Sequence, residues 1–142
     1  MNTFLPYSGF DRSAQCLDRL RLGKQRLECL QILRTLNGET HGWCNHPAVK
    51  MWDGYLEALV EYGCAMCDEW TARGYIDNLR PQIIAQSWGN SLQLPVWLHN
   101  RRLIYGYRSN LVRKFPSHYR RYFPRISSNL PYYWPVHKPS LY

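Results

Sequence analysis

Four side chains at helical spacing give the chain its densest set of groups able to do chemistry: Arg21, Lys24, Gln25 and Glu28. At i, i+3, i+4 and i+7 they fall on one face of a helix. An amine, an amide, a carboxylate and a guanidinium held on one rigid surface can form a catalytic constellation. The same four residues also fit a solvated face with a Lys24–Glu28 ion pair at i, i+4. Around them, Cys16, Leu20, Leu27, Leu30 and Leu33, with Gly23 in the row, are expected to form the buried stripe.

Two further groups carry chemical potential. His46 stands just before Pro47, a residue suited to the first position of a helix. An imidazole there can help a helix N-terminus hold a phosphate, or can simply cap it. The stretch 101–123 interleaves cations with aromatic rings, and Arg101, Arg102, Arg108, Arg113, Lys114, Arg120 and Arg121 are its candidate phosphate contacts. Cations grip a phosphate backbone and ring faces stack on exposed bases. Cys64 and Cys67 have a CxxC spacing without a second pair, so they read as core cysteines rather than metal or redox ligands. There is no glycine-rich phosphate loop and no GxSxG elbow.

The elements that would position these groups are helical. The pattern predicts one helix from a Ser13 cap to about residue 36, ended by Asn37-Gly38, and a second over about 47–73, ended by Gly74. The second has its stripe at Val49, Trp52, Leu56, Leu59, Gly63, Met66 and Trp70. A short third helix is expected over 81–88 and a fourth from about Asn100 to Lys114, stopping before Pro116. The tail beyond is rich in Pro, Tyr and Arg and reads as an irregular wrap. Tyr132-Tyr133-Trp134-Pro135 is expected to pack back on the body, with base stacking as the second reading. The fold class is all-α, with residues 1–142 forming one compact domain.

Composition agrees with a packed chain. Of 142 residues 45% are hydrophobic and 15% aromatic, which excludes a disordered protein. No run approaches the ~18 apolar residues of a membrane helix, and there is no signal-peptide core. The expectation is a soluble cytoplasmic protein, nucleoid-associated when bound to DNA, with its five cysteines reduced. The net charge of +8 is unevenly placed. All ten carboxylates lie within residues 1–77 against eight Lys and Arg, whereas residues 78–142 hold ten Lys and Arg and no carboxylate. That polarisation points to a polyanionic partner, nucleic acid before membrane.

Four segments in order, Leu-Gly-Lys-Gln-Arg-Leu-Glu (22–28), Asn-His-Pro-Ala-Val-Lys-Met-Trp (45–52), Glu-Trp-Thr-Ala-Arg-Gly-Tyr (69–75) and Tyr-Tyr-Trp-Pro (132–135), resemble the pyrimidine-dimer DNA glycosylase (endonuclease V-like) family, most closely its bacterial branch. The resemblance implies an all-α fold and a monomer that binds double-stranded DNA bearing a damaged or modified base. It further implies an amine that attacks the deoxyribose through a Schiff base and cuts by β-elimination, with no metal or other cofactor. On that basis Glu28 is the carboxylate, Arg21 and Arg26 are phosphate clamps, and the nucleophile is the Met1 amine or Lys24. A binding module that keeps the DNA surface without the chemistry is the alternative reading, and an enzyme acting on RNA or on a hypermodified base is a third.

Overall fold

The computed structural model describes residues 1–136. Seven helices form within them: α1 (Phe10–Cys16), α2 (Arg19–Leu36), α3 (Pro47–Lys50), α4 (Leu56–Ala72), α5 (Arg80–Ile84), α6 (Arg101–Lys114) and α7 (Pro116–Tyr119). Among the described residues there is no strand, as the all-α expectation required. None of these helices is long and apolar enough to cross a membrane. Lys138, counted with the basic residues above, lies outside the described residues.

The first predicted helix is two helices. Leu17 is extended (φ −68°, ψ 138°), and α2 restarts behind Asp18, whose carboxylate accepts the Arg21 N–H. The break is imposed from a distance. The Tyr119 hydroxyl accepts the Asp18 N–H at 2.9 Å and donates to its carboxylate, while Arg21 Nη1 donates to that carboxylate at 3.1 Å. Arg73 then closes α1 by donating to the Ala14, Gln15 and Leu17 carbonyls at 3.2, 3.2 and 2.8 Å, a cation on a helix C-terminus. Ser13 is therefore no cap. It lies inside α1, where its hydroxyl exchanges hydrogen bonds with the backbone of Tyr7.

The second predicted helix is also interrupted. A single turn, α3, gives way to a bend in which Gly54 takes φ +85°, a left-handed value that glycine adopts without strain, before α4 begins. Val49, Trp52, Leu56, Leu59, Gly63 and Met66 are nevertheless buried as expected, while Trp70 is half-buried. The third helix, expected over 81–88, is the shorter Arg80–Ile84. The fourth matches its expected bounds, with the Asn100 side chain accepting the Arg102 and Leu103 N–H groups.

The core is built on α4 against α2 and α1. The helices meet closely at Gly63, where a Cβ would lie 2.6 Å from Cys29 Sγ. The buried side of α2 is Leu22, Gln25, Cys29, Leu30, Ile32 and Leu33. The expected stripe was thus partly misplaced: Leu20 is 66% exposed and Leu27 47%, because α2 buries the face of Leu22, Gln25 and Cys29 instead. Cys67 is buried and Cys64 half-buried on α4, in keeping with core roles.

Burial works against ionisation of Asp18, but the hydrogen bonds from Tyr119 and Arg21 outweigh it and hold the carboxyl below its ordinary value of 3.8. Replacing Tyr119 with Phe should cost about 1–3 kcal/mol at neutral pH, read as a lower thermal midpoint. A depressed carboxyl contributes stability above its unfolded value and loses it in acid, so the gap between wild type and Tyr119→Phe should narrow as pH falls below 3.8.

Candidate active site

Residues 1–8 run extended into the core beside α2 and α4, and this placement builds the site. Thr3 Oγ1 accepts the Trp52 indole N–H at 3.0 Å. The Phe4 carbonyl accepts from the Tyr62 hydroxyl at 2.9 Å, and the Phe4 N–H donates to Gln25 Oε1, also at 2.9 Å. The chain start is thereby laid across the functional face of α2. The Asn2 N–H donates to Glu28 Oε2 at 3.2 Å, and Gln25 Nε2 donates to the same oxygen at 2.9 Å.

A pocket of about 420 Å³ opens at this point. Arg21, Lys24, Gln25 and Glu28 form one wall, Met1, Asn2 and Phe4 a second, and Lys114 and Tyr132 a third. Glu28 is half-buried and Lys24 exposed, and no ion pair joins them among the described residues. The solvated-face reading of these four residues does not describe what they do: Gln25 is buried and Glu28 accepts from backbone and amide. Arg21 lines the pocket while its Nη1 pairs with Asp18 at 3.1 Å.

The third wall arrives from the far end of the chain. The 128–133 segment lies on α6, where its Leu130 N–H meets Ser109 Oγ at 2.9 Å and its Leu130 carbonyl accepts from Asn110 Nδ2 at 3.2 Å. Gly106 allows this approach, since a Cβ there would sit 2.7 Å from the Pro131 carbonyl oxygen. Tyr132 then rests 5.8 Å from Tyr107 and 5.6 Å from Trp134, ring centre to ring centre. Burial raises its phenol above the ordinary value of 10.0, so it enters the pocket as a neutral hydrogen-bonding group. The tail thus packs back as expected.

His46 stands between Trp43 and Trp134, at 5.8 and 5.9 Å. Its Nδ1 accepts the Ala48 N–H at 3.0 Å, so the capping reading is the one the geometry realises. The helix it caps is a single turn, too short to supply the dipole that the phosphate reading needed. Burial lowers the imidazole from its ordinary 6.5, the nearby α-amine lowers it further, and the Glu28 carboxylate pulls it back.

Other predicted contacts are placed elsewhere. Arg26 points away from the pocket: it pairs with Asp77 and lies 4.3 Å from the Trp70 ring. The residue stands two positions from Glu28 on the helix, a rotation of about 200°. Arg108 donates to the Pro6 carbonyl at 2.7 Å beneath Tyr7 and Phe123. Arg113 bonds the Ser128 carbonyl and the Asn110 side chain, and Arg120 bonds the Ile126 carbonyl at 2.6 Å. Arg113 and Arg120 thus hold the tail together, while Arg108 ties α6 to the N-terminal segment. Arg101 and Arg102 border a second cavity of about 380 Å³ on the other side of Tyr132, and Arg121 is exposed beside Tyr122. Sequence reasoning gave Asn2 no contact with the site, and it singled out Tyr132 for packing or base stacking without placing it beside α2. It placed Gln25 on the right face and assigned it nothing.

A cationic pocket that sets an N-terminal backbone nitrogen against a carboxylate is the geometry on which the comparison with known proteins bears. A family model described as pyrimidine dimer DNA glycosylase matches residues 1–82. The chain belongs to that family. No curated protein and no solved structure matches it. The matched span contains the α2 wall of the pocket, the N-terminal wall and His46, so these come within the DNA-glycosylase family; Lys114 and Tyr132 lie beyond it.

Two outcomes follow from the geometry. Gly106→Ala should lift the tail from α6 and lower stability by about 1–3 kcal/mol, with protease cleavage within 124–131 as the sensitive readout. A cap formed by an imidazole with a depressed value is present above 6.5 and lost as pH falls through the lowered value. His46→Asn, which caps without titrating, should therefore melt less steeply with acidification than wild type below pH 6.5, by up to about 1 kcal/mol.

Proposed function

We propose that the chain is a single-domain, monomeric DNA glycosylase with AP lyase activity, acting on damaged or modified pyrimidines in duplex DNA. The observation that carries this reading is the Asn2 N–H on Glu28 Oε2 at 3.2 Å inside a pocket flanked by Arg21, Lys24 and Lys114. That contact holds the chain's α-amine within one residue of a carboxylate. Family membership supplies the substrate class, DNA.

In this reading the amine lone pair attacks C1′ of the damaged nucleotide. The glycosidic bond breaks, and its electron pair leaves with the base, which takes up a proton. Glu28 stabilises the positive charge that builds on the sugar and receives the proton shed by the attacking amine. The lone pair of the newly bonded nitrogen then expels O4′, which takes up a proton as the sugar ring opens, and the resulting iminium acidifies C2′. Loss of a proton there expels the 3′ phosphate, which cuts the strand. Arg21 and Lys114 hold the flanking phosphates, and Tyr132 offers a ring face and a hydroxyl to a displaced base.

Two amines line the pocket, those of Met1 and Lys24. The Met1 amine is favoured by its tether to Glu28, and because an α-amine is a weaker base than a lysine side chain and so a readier nucleophile at neutral pH. Removal of Met1 would leave the α-amine of Asn2 on the same carboxylate oxygen. The placement of Arg26 against Asp77 takes it out of the clamp that the resemblance implied.

The test is borohydride trapping on duplex DNA with one abasic site in the presence of EDTA, followed by peptide mapping of the adduct. An adduct on the N-terminal residue is expected; an adduct on Lys24 would move the chemistry to the side-chain amine. Glu28→Gln should lower the trapping rate by about 10²–10⁴-fold with salt-dependent DNA affinity retained. A wild-type protein that binds DNA and never traps would establish the binding-module reading instead.

A further inference from the structure

The side chain joining the two halves of the proposed machinery is Gln25, which stands behind Glu28 in the pocket wall. It is 1% exposed, and its amide orientation is fixed. The Phe4 N–H at 2.9 Å can only donate, so the atom facing it must be the carbonyl oxygen, with the Tyr62 hydroxyl at 2.6 Å on the same oxygen. The amide nitrogen is therefore turned to Glu28 Oε2. That oxygen accepts two N–H groups, from Gln25 and from Asn2, which leaves Oε1 as the carboxylate atom available to the pocket.

We infer that Gln25 is a positioning residue: one amide that fixes the N-terminal backbone through its oxygen and the Glu28 carboxylate through its nitrogen, and so sets the register between amine and carboxylate. Its two ends reach the two groups the reaction needs, and Tyr62, fully buried on α4, holds the amide from behind. A flexible or apolar side chain at this site would leave the Phe4 N–H unpaired and free Glu28 to rotate. The inference rests on the glycosylase/lyase reading above.

The experiment compares single-turnover trapping rates on abasic-site duplex for wild type, Gln25→Met and Gln25→Glu across a pH series, with DNA affinity and thermal melting measured on the same preparations. Gln25→Met keeps the volume and loses all three hydrogen bonds, those with the Phe4 N–H, the Tyr62 hydroxyl and Glu28. A misplacement on the ångström scale is expected to slow trapping about 100-fold, with the dissociation constant for DNA changed less than about threefold. Gln25→Glu keeps the acceptor for the Phe4 N–H and sets a second carboxylate against Glu28. A proton shared between the two restores the missing donor, so the ratio of its rate to wild type should climb as pH falls. A residue serving stability alone would not show that climb.

Gln25→Met trapping at the wild-type rate overturns the inference, and so does a Gln25→Glu ratio that stays flat with pH. Failure of both variants to fold assigns Gln25 to stability and overturns it as well. Wild type that never traps defeats the functional reading, and the positioning role falls with it; wild type that traps beside an unaffected Gln25→Met defeats the positioning role alone.

Discussion

The structure depends on how an extended N-terminal segment is satisfied inside a helical core. A buried backbone carries donors and acceptors that must be paired, and residues 2–5 have no strand partner to pair them. The helices supply side chains instead. Gln25 from α2 accepts the Phe4 N–H, Tyr62 from α4 donates to the Phe4 carbonyl, and Asn2 meets Glu28. A glutamine and a tyrosine buried for this purpose are costly unless fully bonded, and here they are. The path of the chain start is consequently a property of the core packing between α2 and α4, which is why an element with no secondary structure of its own can present a backbone nitrogen to a carboxylate with defined geometry.

Charge follows a second constraint. The basic half of the chain contains no side-chain carboxylate beside its ten cations, and six of them fall into two duties. Arg108, Arg113 and Arg120 are spent on backbone carbonyls, the first on the N-terminal segment and the other two on a tail that has almost no regular hydrogen bonding of its own. Lys114, Arg101 and Arg102 line cavities on either side of Tyr132. The acidic half compensates locally: Asp18 takes Arg21 and Asp77 takes Arg26. The positive surface around the pocket is what remains once these internal demands are met, and the steering of a polyanion follows from that remainder rather than from net charge alone.

Local patterns were legible where they decided the outcome. Asn100 and the proline after Phe115 set the limits of α6, and Arg21, Lys24, Gln25 and Glu28 do share a pocket wall as their spacing implied. The misreadings have separate causes. The break at Leu17 is enforced by Tyr119 and Arg73, far away in sequence, and α2 buries the face of Leu22, Gln25 and Cys29 while Leu20 and Leu27 stay exposed. Arg26 looked like a clamp because it lies near Glu28 in sequence, yet its rotation about the helix and the presence of Asp77 place it elsewhere. The contact of Asn2 with Glu28 had no local signature, and the motif that singled out Tyr132 could not place it in the pocket wall, since both positions arise only through the tertiary path of the chain.

The division of the pocket between the two parts of the chain has a physical consequence. The family-matched span holds the groups to which the proposed function gives the chemistry, the N-terminal amine, Lys24 and Glu28. The remainder contributes Lys114 and Tyr132 through a tail that reaches the pocket only because Gly106 has no side chain to hold it off. Gln25 and Glu28 are costly to alter, because both are bonded to the N-terminal backbone that packs into the core. A tail bound by arginine–carbonyl contacts and a glycine crossing can vary without disturbing them. On the proposed function, chemistry and substrate shape would therefore be held by different physical means in one pocket, packing for the first and surface docking for the second, and a change of lesion preference would be accommodated at Tyr132 and its neighbours while the amine–carboxylate pair stayed in place.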